Sequence, residues 1–183
     1  MTLTAKRAYT DSVNENDAWF EVLFQEHWQR VYGVVYRLVG DHAEAEDLTL
    51  ETFWRLYDQQ PTFGNEHQVN GWLYRVATNL GINALRARKR RRHYEEQAGS
   101  QILDEKRMVN PDAEFEGEEQ RQRVQLALAD MKPRSAKLLI MRHSGFSYAE
   151  IAATLGVAPG SVGTLLSRAE EEFEERYGRS GGG

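Results

Sequence analysis

The sequence contains no cysteine among its 183 residues. It can therefore form neither a disulfide nor a thiolate metal site, and nothing in its composition indicates an oxidising compartment. The first twenty residues hold no apolar run of signal-peptide length, and no stretch approaches 18 uncharged apolar residues. These absences predict a cytoplasmic protein with no membrane partner.

Histidine is also scarce, and its positions suggest no catalytic site. The five histidines are scattered along the chain, at His27, His42, His67, His93 and His143. The sequence has no metal-ligand spacing, no nucleophile triad and no glycine-rich phosphate loop. We therefore predict that the protein is not an enzyme and has no metal, no cofactor and no small-molecule substrate.

Charge is sorted into three blocks, which the net charge of −5 conceals. Residues 41–60 contain six acids and one base, residues 70–93 contain seven bases and no acid, and residues 94–119 contain nine acids and two bases. Such sorting favours separate surfaces for separate partners. The alternative is that each block is simply the solvated face of a helix.

The apolar residues predict helices throughout, and therefore an all-α fold. From Phe20 to Leu38 they recur at helical spacing, and Gly40 follows as a C-terminal stop. The pair Asp41 and Glu44 forms a capping-box pattern for a second helix, which runs to about Asp58. A third helix is predicted to continue into the basic tract at residues 86–92, with a buried stripe made of Trp72, Val76, Leu80 and Ala84.

The composition divides the chain into two small helical domains. Residues 95–118 are acidic and poor in large apolar side chains, so we predict a flexible acidic linker there. The linker separates a first domain at residues 17–94 from a second at residues 119–177. Residues 1–16 and 178–183 are predicted to be disordered.

The second domain carries the spacing of a helix-turn-helix. Ser147 and Glu150 form a capping box, and they are followed by four spaced positions: Ala152, Gly156, Val162 and Leu165. The alanine allows close helix approach, the glycine takes the turn, and the two apolar residues anchor a recognition helix. The side chains predicted to point outward, toward DNA bases and phosphates, are Ser161, Thr164, Ser167 and Arg168. A helical hairpin with no role in DNA binding is the alternative.

Two stretches resemble the extracytoplasmic-function (group 4) branch of the sigma-70 family. EAEDLTLETFWRLY (residues 44–57) and GWLYRVATNLGINALRARKRRR (residues 71–92) resemble sigma region 2, while SYAEIAATLGVAPGSVGTLLSRA (residues 147–169) is similar to sigma region 4. The resemblance covers about residues 19–173. It implies a sigma factor with three partners: bacterial core RNA polymerase, promoter DNA and an anti-sigma factor.

The resemblance also implies roles for individual residues. Asp47 and Glu51 would bind core polymerase. The minus-10 element would be bound by Phe63, Trp72, Arg75, Asn79, Asn83, Arg86 and Arg88, and the phosphates beside it by Lys89, Arg90, Arg91 and Arg92. The readout residues of the helix-turn-helix would meet the minus-35 element. The acidic linker would thread a polymerase channel as a mimic of a phosphate backbone, or serve only as a solvated tether.

The sequence departs from the family pattern in two places. Leu50 stands where the family usually has glutamine, and glutamates fill most of residues 170–175, where many members carry bases. The acidic segment favours a second hypothesis, a sigma-like decoy that binds an anti-sigma factor without productive DNA binding. A third hypothesis is a stand-alone repressor that uses only the helix-turn-helix.

Overall fold

The computed structural model describes residues 3–97 and 113–179, with side chains described for residues 17–65, 68–95 and 117–179. Within those ranges the chain forms helices and no strand, which confirms the predicted all-α fold. The elements are α1 (Leu3–Val39), α2 (His42–Gln59), α3 (Glu66–Gln97), α4 (Ala113–Asp130), α5 (Pro133–His143), α6 (Tyr148–Leu155), a 3₁₀ turn (Pro159–Ser161) and α7 (Val162–Arg179).

The first three helices form one bundle. Asp41 caps α2 by accepting a hydrogen bond of 2.9 Å from the amide of Glu44. The capping box predicted from these two residues is only half formed, because the Glu44 carboxylate binds Arg88 of α3. Gly81 lets α3 approach α1 closely, since a Cβ there would lie 2.6 Å from Leu38. The core of this bundle includes Val31, Val35, Leu38, Phe53, Leu56, Leu73 and Ala77.

The buried face of α3 differs from the predicted stripe. Trp72, Val76, Leu80 and Ala84 are only half-buried, whereas the fully buried side chains are Val69, Leu73, Tyr74, Ala77, Ile82 and Leu85. The reason is that α3 packs against α1 and α2 on one side and against α4, α5 and α6 on the other. A helix held between two bundles buries a broader and rotated surface, which a single-stripe pattern does not anticipate.

The second bundle, α4 to α7, contains the predicted helix-turn-helix. Pro133 begins α5, Ser147 and Glu150 form the full capping box, and Gly156 ends α6 with a φ of 63°. The predicted anchor pair is partly wrong, because Leu165 is half-buried and Leu166 is buried beside Val162. The 3₁₀ turn before α7 sets the rotation of the helix, and Leu166 then follows Val162 by one α-helical turn.

The two bundles pack against each other and share one continuous set of buried side chains. Residues 98–112, most of the predicted linker, lie outside the described residues. The sequence predicts disorder for residues 1–16, whereas the backbone is already helical at Leu3, where α1 begins. In the described part of the chain no single helix is long and apolar enough to cross a membrane, although the bent pair Tyr148–Leu155 and Pro159–Arg179 together reach that length and composition.

Candidate protein-binding and DNA-binding surfaces

A groove between α1 and α2 exposes an aromatic surface beside two acids. Its volume is about 550 Å³, and it is lined by Phe20, Phe24, Asp47, Leu50, Glu51, Phe53, Trp54 and Tyr57. Trp54 is 61% exposed and Leu50 is 51% exposed. Contiguous exposed apolar surface of this kind marks an interaction site more often than a solvated face. We call these eight residues the α1–α2 groove.

The two acids predicted to bind polymerase both line this groove. Asp47 is exposed, and Glu51 is half-exposed and accepts a hydrogen bond of 2.8 Å from Arg55 one turn later. The sequence interpretation missed the aromatic part of the surface, to which Tyr57 contributes an exposed ring at the groove. The signal was present, since Leu50, Trp54 and Tyr57 follow Asp47 at helical spacing.

The predicted minus-10 residues follow one stripe of α3. Trp72, Arg75, Asn79 and Asn83 are separated by three or four residues, so they lie along one face of the helix. Arg75 and Asn83 are exposed. Phe63, in the loop before α3, packs edge-on against Trp72 with the ring centroids 6.4 Å apart. The structure thus brings the loop and the start of α3 together.

Arg86, Arg88 and Lys89 are occupied by acceptors of the protein itself. Arg86 donates hydrogen bonds to the carbonyl oxygens of Ala129 at 3.2 Å and Met131 at 2.8 Å. Arg88 donates to the carbonyl oxygen of Val39, the Gln125 side chain and the Glu44 carboxylate, and Lys89 pairs with Asp130. The adjacent Arg90, Arg91 and Arg92 are exposed.

The recognition helix, α7, presents three of the four predicted readout residues outward. Thr164, Ser167 and Arg168 are exposed, while Ser161 is half-buried and its hydroxyl donates to the Ala158 carbonyl at 2.7 Å. The acids that follow divide into two groups. Glu170, Glu171, Glu174 and Glu175 are exposed, whereas Glu172 accepts a hydrogen bond of 2.8 Å from the amide of Lys132 and so caps α5.

A helical first domain with a basic tract at residues 86–92, beside a second domain with a helix-turn-helix, is typical of a two-domain DNA-binding protein. Comparison with known families refines that class: residues 23–91 match Sigma-70 region 2, and residues 121–173 match Sigma-70 region 4. The two matches cover the elements that carry the groove, the α3 stripe and the recognition helix.

The chain is also similar to curated sigma factors. It is 34% identical to the ECF RNA polymerase sigma factor SigE of Mycolicibacterium smegmatis, over 86% of this chain and 61% of that protein. It is 25% identical to the ECF RNA polymerase sigma factor SigW of Bacillus subtilis, over 93% of this chain and 95% of SigW. The chain thus spans about three fifths of SigE and nearly all of SigW.

A solved structure shares the fold. The sigma factor RpoE from Bartonella quintana, in a co-crystal structure with the anti-sigma factor NepR, is 23% identical with a TM-score of 0.50, over 86% of this chain and 95% of that chain. The chain belongs to the extracytoplasmic-function branch of the sigma-70 family.

Proposed function

We propose that this chain is a sigma factor that directs core RNA polymerase to promoters and assists strand opening. The groove binds polymerase, the α3 stripe with Phe63 binds the minus-10 element, and the exposed face of α7 binds the minus-35 element. The chain supplies no catalytic group, since the polymerisation chemistry belongs to the core enzyme. It acts where the chromosome is, in the cytoplasm.

The observation that carries this proposal is the α1–α2 groove. A stand-alone repressor needs only a DNA-binding surface, and it has no use for exposed Leu50 and Trp54 beside Asp47 and Glu51. Exposed aromatic anchors ringed by charge are typical of protein-binding hot spots. The groove therefore fits a partner helix with apolar side chains on one face and basic side chains at its edge, as polymerase would supply.

The groove is tested by charge reversal. The double variant Asp47→Lys/Glu51→Lys is expected to abolish co-purification with core polymerase, because like charges at an interface cost several kcal/mol. The matched control is Glu46→Lys/Asp58→Lys, which reverses two exposed acids of the same helix outside the groove lining. Circular dichroism checks that both variants fold. Equal polymerase binding by the two variants would refute the assignment.

Transcription tests the complete function. The chain is mixed with core polymerase and fragmented genomic DNA, and the transcripts are sequenced. A sigma factor is expected to start transcripts at sites that share two spaced elements. A repressor would bind DNA without polymerase and start none.

The decoy remains a second candidate, on a specific observation. Arg86 and Arg88 bind acceptors of their own chain, and four exposed glutamates follow the recognition face of α7. A decoy would bind an anti-sigma factor, as RpoE does in its co-crystal structure with NepR, and would start no transcript with core polymerase. The same transcription experiment therefore separates it from a functional sigma factor, for which an anti-sigma factor is a regulator.

A further inference from the structure

Three basic side chains meet between α3 and α5. Lys137 lies in the second turn of α5 and faces the positive charges of Arg75 and Arg86 on α3. Arg86 is fixed there because it donates hydrogen bonds to the carbonyl oxygens of Ala129 and Met131, just before α5 begins. We call Arg75, Arg86 and Lys137 the basic cluster. Like charges repel one another, so folding brings these three side chains together at a cost.

The acids of the neighbouring helices pair with other groups. Glu172 of α7 accepts a hydrogen bond from the Lys132 amide. Glu150 of α6 accepts one from the amide of Ser147 and lies 3.7 Å from Arg30. No ion pair within the side chains that the structure describes includes a member of the basic cluster. The cluster therefore keeps its positive charge and favours an anionic ligand.

Lys137 is a good nucleophile in these surroundings. Burial lowers the pKa of Lys137, and the positive charges of Arg75 and Arg86 lower it further. More of its amine is therefore neutral near neutral pH than in an ordinary lysine, and only the neutral amine has a lone pair that can attack a carbonyl carbon. Lys137 is half-buried and Arg75 is exposed, so the cluster is open to a small molecule from solvent.

The two arginines supply what a phosphate group requires. Guanidinium groups bind phosphate oxygens through charge-assisted hydrogen bonds. Arg86 uses its Nε and Nη2 on the two carbonyl oxygens, and its Nη1 has no hydrogen-bond partner among the described residues. A phosphate-binding pair thus lies beside a reactive amine. This combination favours a reagent that carries both a phosphate group and an activated acyl carbon.

We propose that Lys137 is a site of acylation by small acyl phosphates, with Arg75 and Arg86 holding the phosphate group. The Lys137 nitrogen donates its lone pair to the acyl carbon, and a C–N bond forms while the C–O bond to phosphate breaks. The electron pair of the broken bond leaves on the phosphate oxygen, and the surplus proton of the nitrogen passes to the released phosphate. The products are an uncharged amide at Lys137 and inorganic phosphate. This reaction needs neither polymerase nor DNA, so it does not depend on the proposed function.

The five lysines of the chain provide internal standards for the test. The purified chain is incubated with acetyl phosphate near neutral pH, and tandem mass spectrometry follows acetylation at each lysine. The references are Lys132, which is exposed just before α5, and Lys89, whose ammonium pairs with Asp130. Lys137 is expected to react at least about tenfold faster than either, because its amine is activated and the reagent is held beside it. Equal rates at the three lysines would overturn the proposal.

A second reagent separates phosphate binding from the reactivity of the amine alone. Acetic anhydride transfers the same acetyl group but carries no phosphate. The preference for Lys137 over Lys132 is expected to be several-fold smaller with acetic anhydride than with acetyl phosphate. Inorganic phosphate is expected to slow the acetyl phosphate reaction at Lys137 and not at Lys132. The same preference with both reagents, or no protection by inorganic phosphate, would show that the arginines do not hold the reagent and would refute the proposal.

A pair of variants tests the arginines directly. Arg75→Gln is expected to slow acetylation of Lys137 by acetyl phosphate several-fold, because it removes a phosphate ligand and a charge that favours the neutral amine. The matched control is Arg37→Gln, which makes the same change of charge at an exposed position of α1. Circular dichroism checks that both variants fold. Equal rates in the two variants would contradict the assignment of Arg75.

The product has a measurable effect on stability. Acylation removes one of the three like charges, so Lys137→Gln, which imitates the uncharged amide, is expected to melt at a higher temperature than Lys137→Arg, which keeps the charge. The wild type treated with acetyl phosphate is expected to melt higher than the untreated chain, in proportion to the acetylation at Lys137. A lower melting temperature for Lys137→Gln than for Lys137→Arg would count against the repulsion on which the proposal rests and would overturn it.

Discussion

Removing one oxygen atom from Tyr74 is expected to stabilise the protein. Tyr74 of α3 is fully buried, and its ring lies against Arg30 and Phe146. Its hydroxyl has no hydrogen-bond partner among the described residues. A buried hydroxyl without a partner costs about 1–3 kcal/mol. Tyr74→Phe keeps the ring contact with Phe146 and removes that cost, so we expect a gain of about 1 kcal/mol, or about 2–4 °C in Tm for a chain of this size.

The pH dependence gives a second signature of the same group. Burial raises the pKa of Tyr74 to about 12 from its ordinary value of 10, although Arg30 acts to lower it. Between pH 10 and 12 the unfolded chain loses the phenol proton of Tyr74, while the folded chain retains it. Wild-type stability therefore falls between pH 10 and 12, by up to about 1.4 kcal/mol per pH unit from this group. The Tyr74→Phe variant lacks that loss, so its advantage is expected to grow above pH 10.

Urea unfolding followed by tryptophan fluorescence measures both effects, with Tyr94→Phe as the matched control. Tyr94 is 67% exposed, and a surface change of this kind stays within about 0.5 kcal/mol. A Tyr74→Phe variant that is less stable than the wild type by more than that margin would refute the reasoning, because the hydroxyl would then have a partner in the folded protein.

Three further predictions concern the recognition helix and the basic tract. Glu172→Ala is expected to destabilise the second domain by about 1 kcal/mol at neutral pH, because it removes the side-chain oxygen that accepts the hydrogen bond from the Lys132 amide and thus the helix cap; urea unfolding measures the loss. Burial raises the pKa of Glu172, but hydrogen bonds from Lys132 and Ser135 and nearby positive charge lower it on balance, so the wild type loses this advantage as pH falls below about 4.5. Replacing residues 90–92 by alanine is expected to reduce the slope of log promoter affinity against log salt concentration by up to about 3, with little change in sequence preference. An unchanged slope would place these residues away from DNA. Arg168→Ala is expected to weaken binding to a minus-35 duplex and Glu171→Arg to strengthen it modestly, measured by titration at several salt concentrations, and no effect of Arg168→Ala would favour the decoy.

Local signals in the sequence predicted most of the second domain. Ser147 with Glu150 fixes the start of α6 and Gly156 fixes its end, each within one turn of the chain, and both ends lie where the sequence placed them. The rotation of α7 was predicted less well, because the choice between Leu165 and Leu166 depends on the winding of the 3₁₀ turn before it.

Contacts between distant segments could not be read from the sequence. Arg86 and Arg88 looked free because their partners lie about 40 residues away along the chain, and three of them are backbone carbonyls that no residue type reveals. The same limit explains the misplaced stripe of α3, since Phe146, which packs on Tyr74, belongs to the other bundle. The pattern of apolar residues predicts which face of a helix is buried, but it does not show which other segment of the chain packs against that face.

Under the proposed function, the internal pairing of Arg86, Arg88 and Lys89 would also affect how the chain is distributed in a cell. A basic side chain that is held by a protein acceptor cannot bind a DNA phosphate and release its counterion. Each phosphate contact contributes about 0.9 to the slope of log affinity against log salt concentration. If all three side chains are withheld from DNA, that slope falls by roughly 3. The affinity for DNA of random sequence falls with it. A chromosome offers on the order of 10⁶–10⁹ competing sites. A chain that keeps these basic side chains paired would stay off that excess of random sequence and would remain free to meet polymerase.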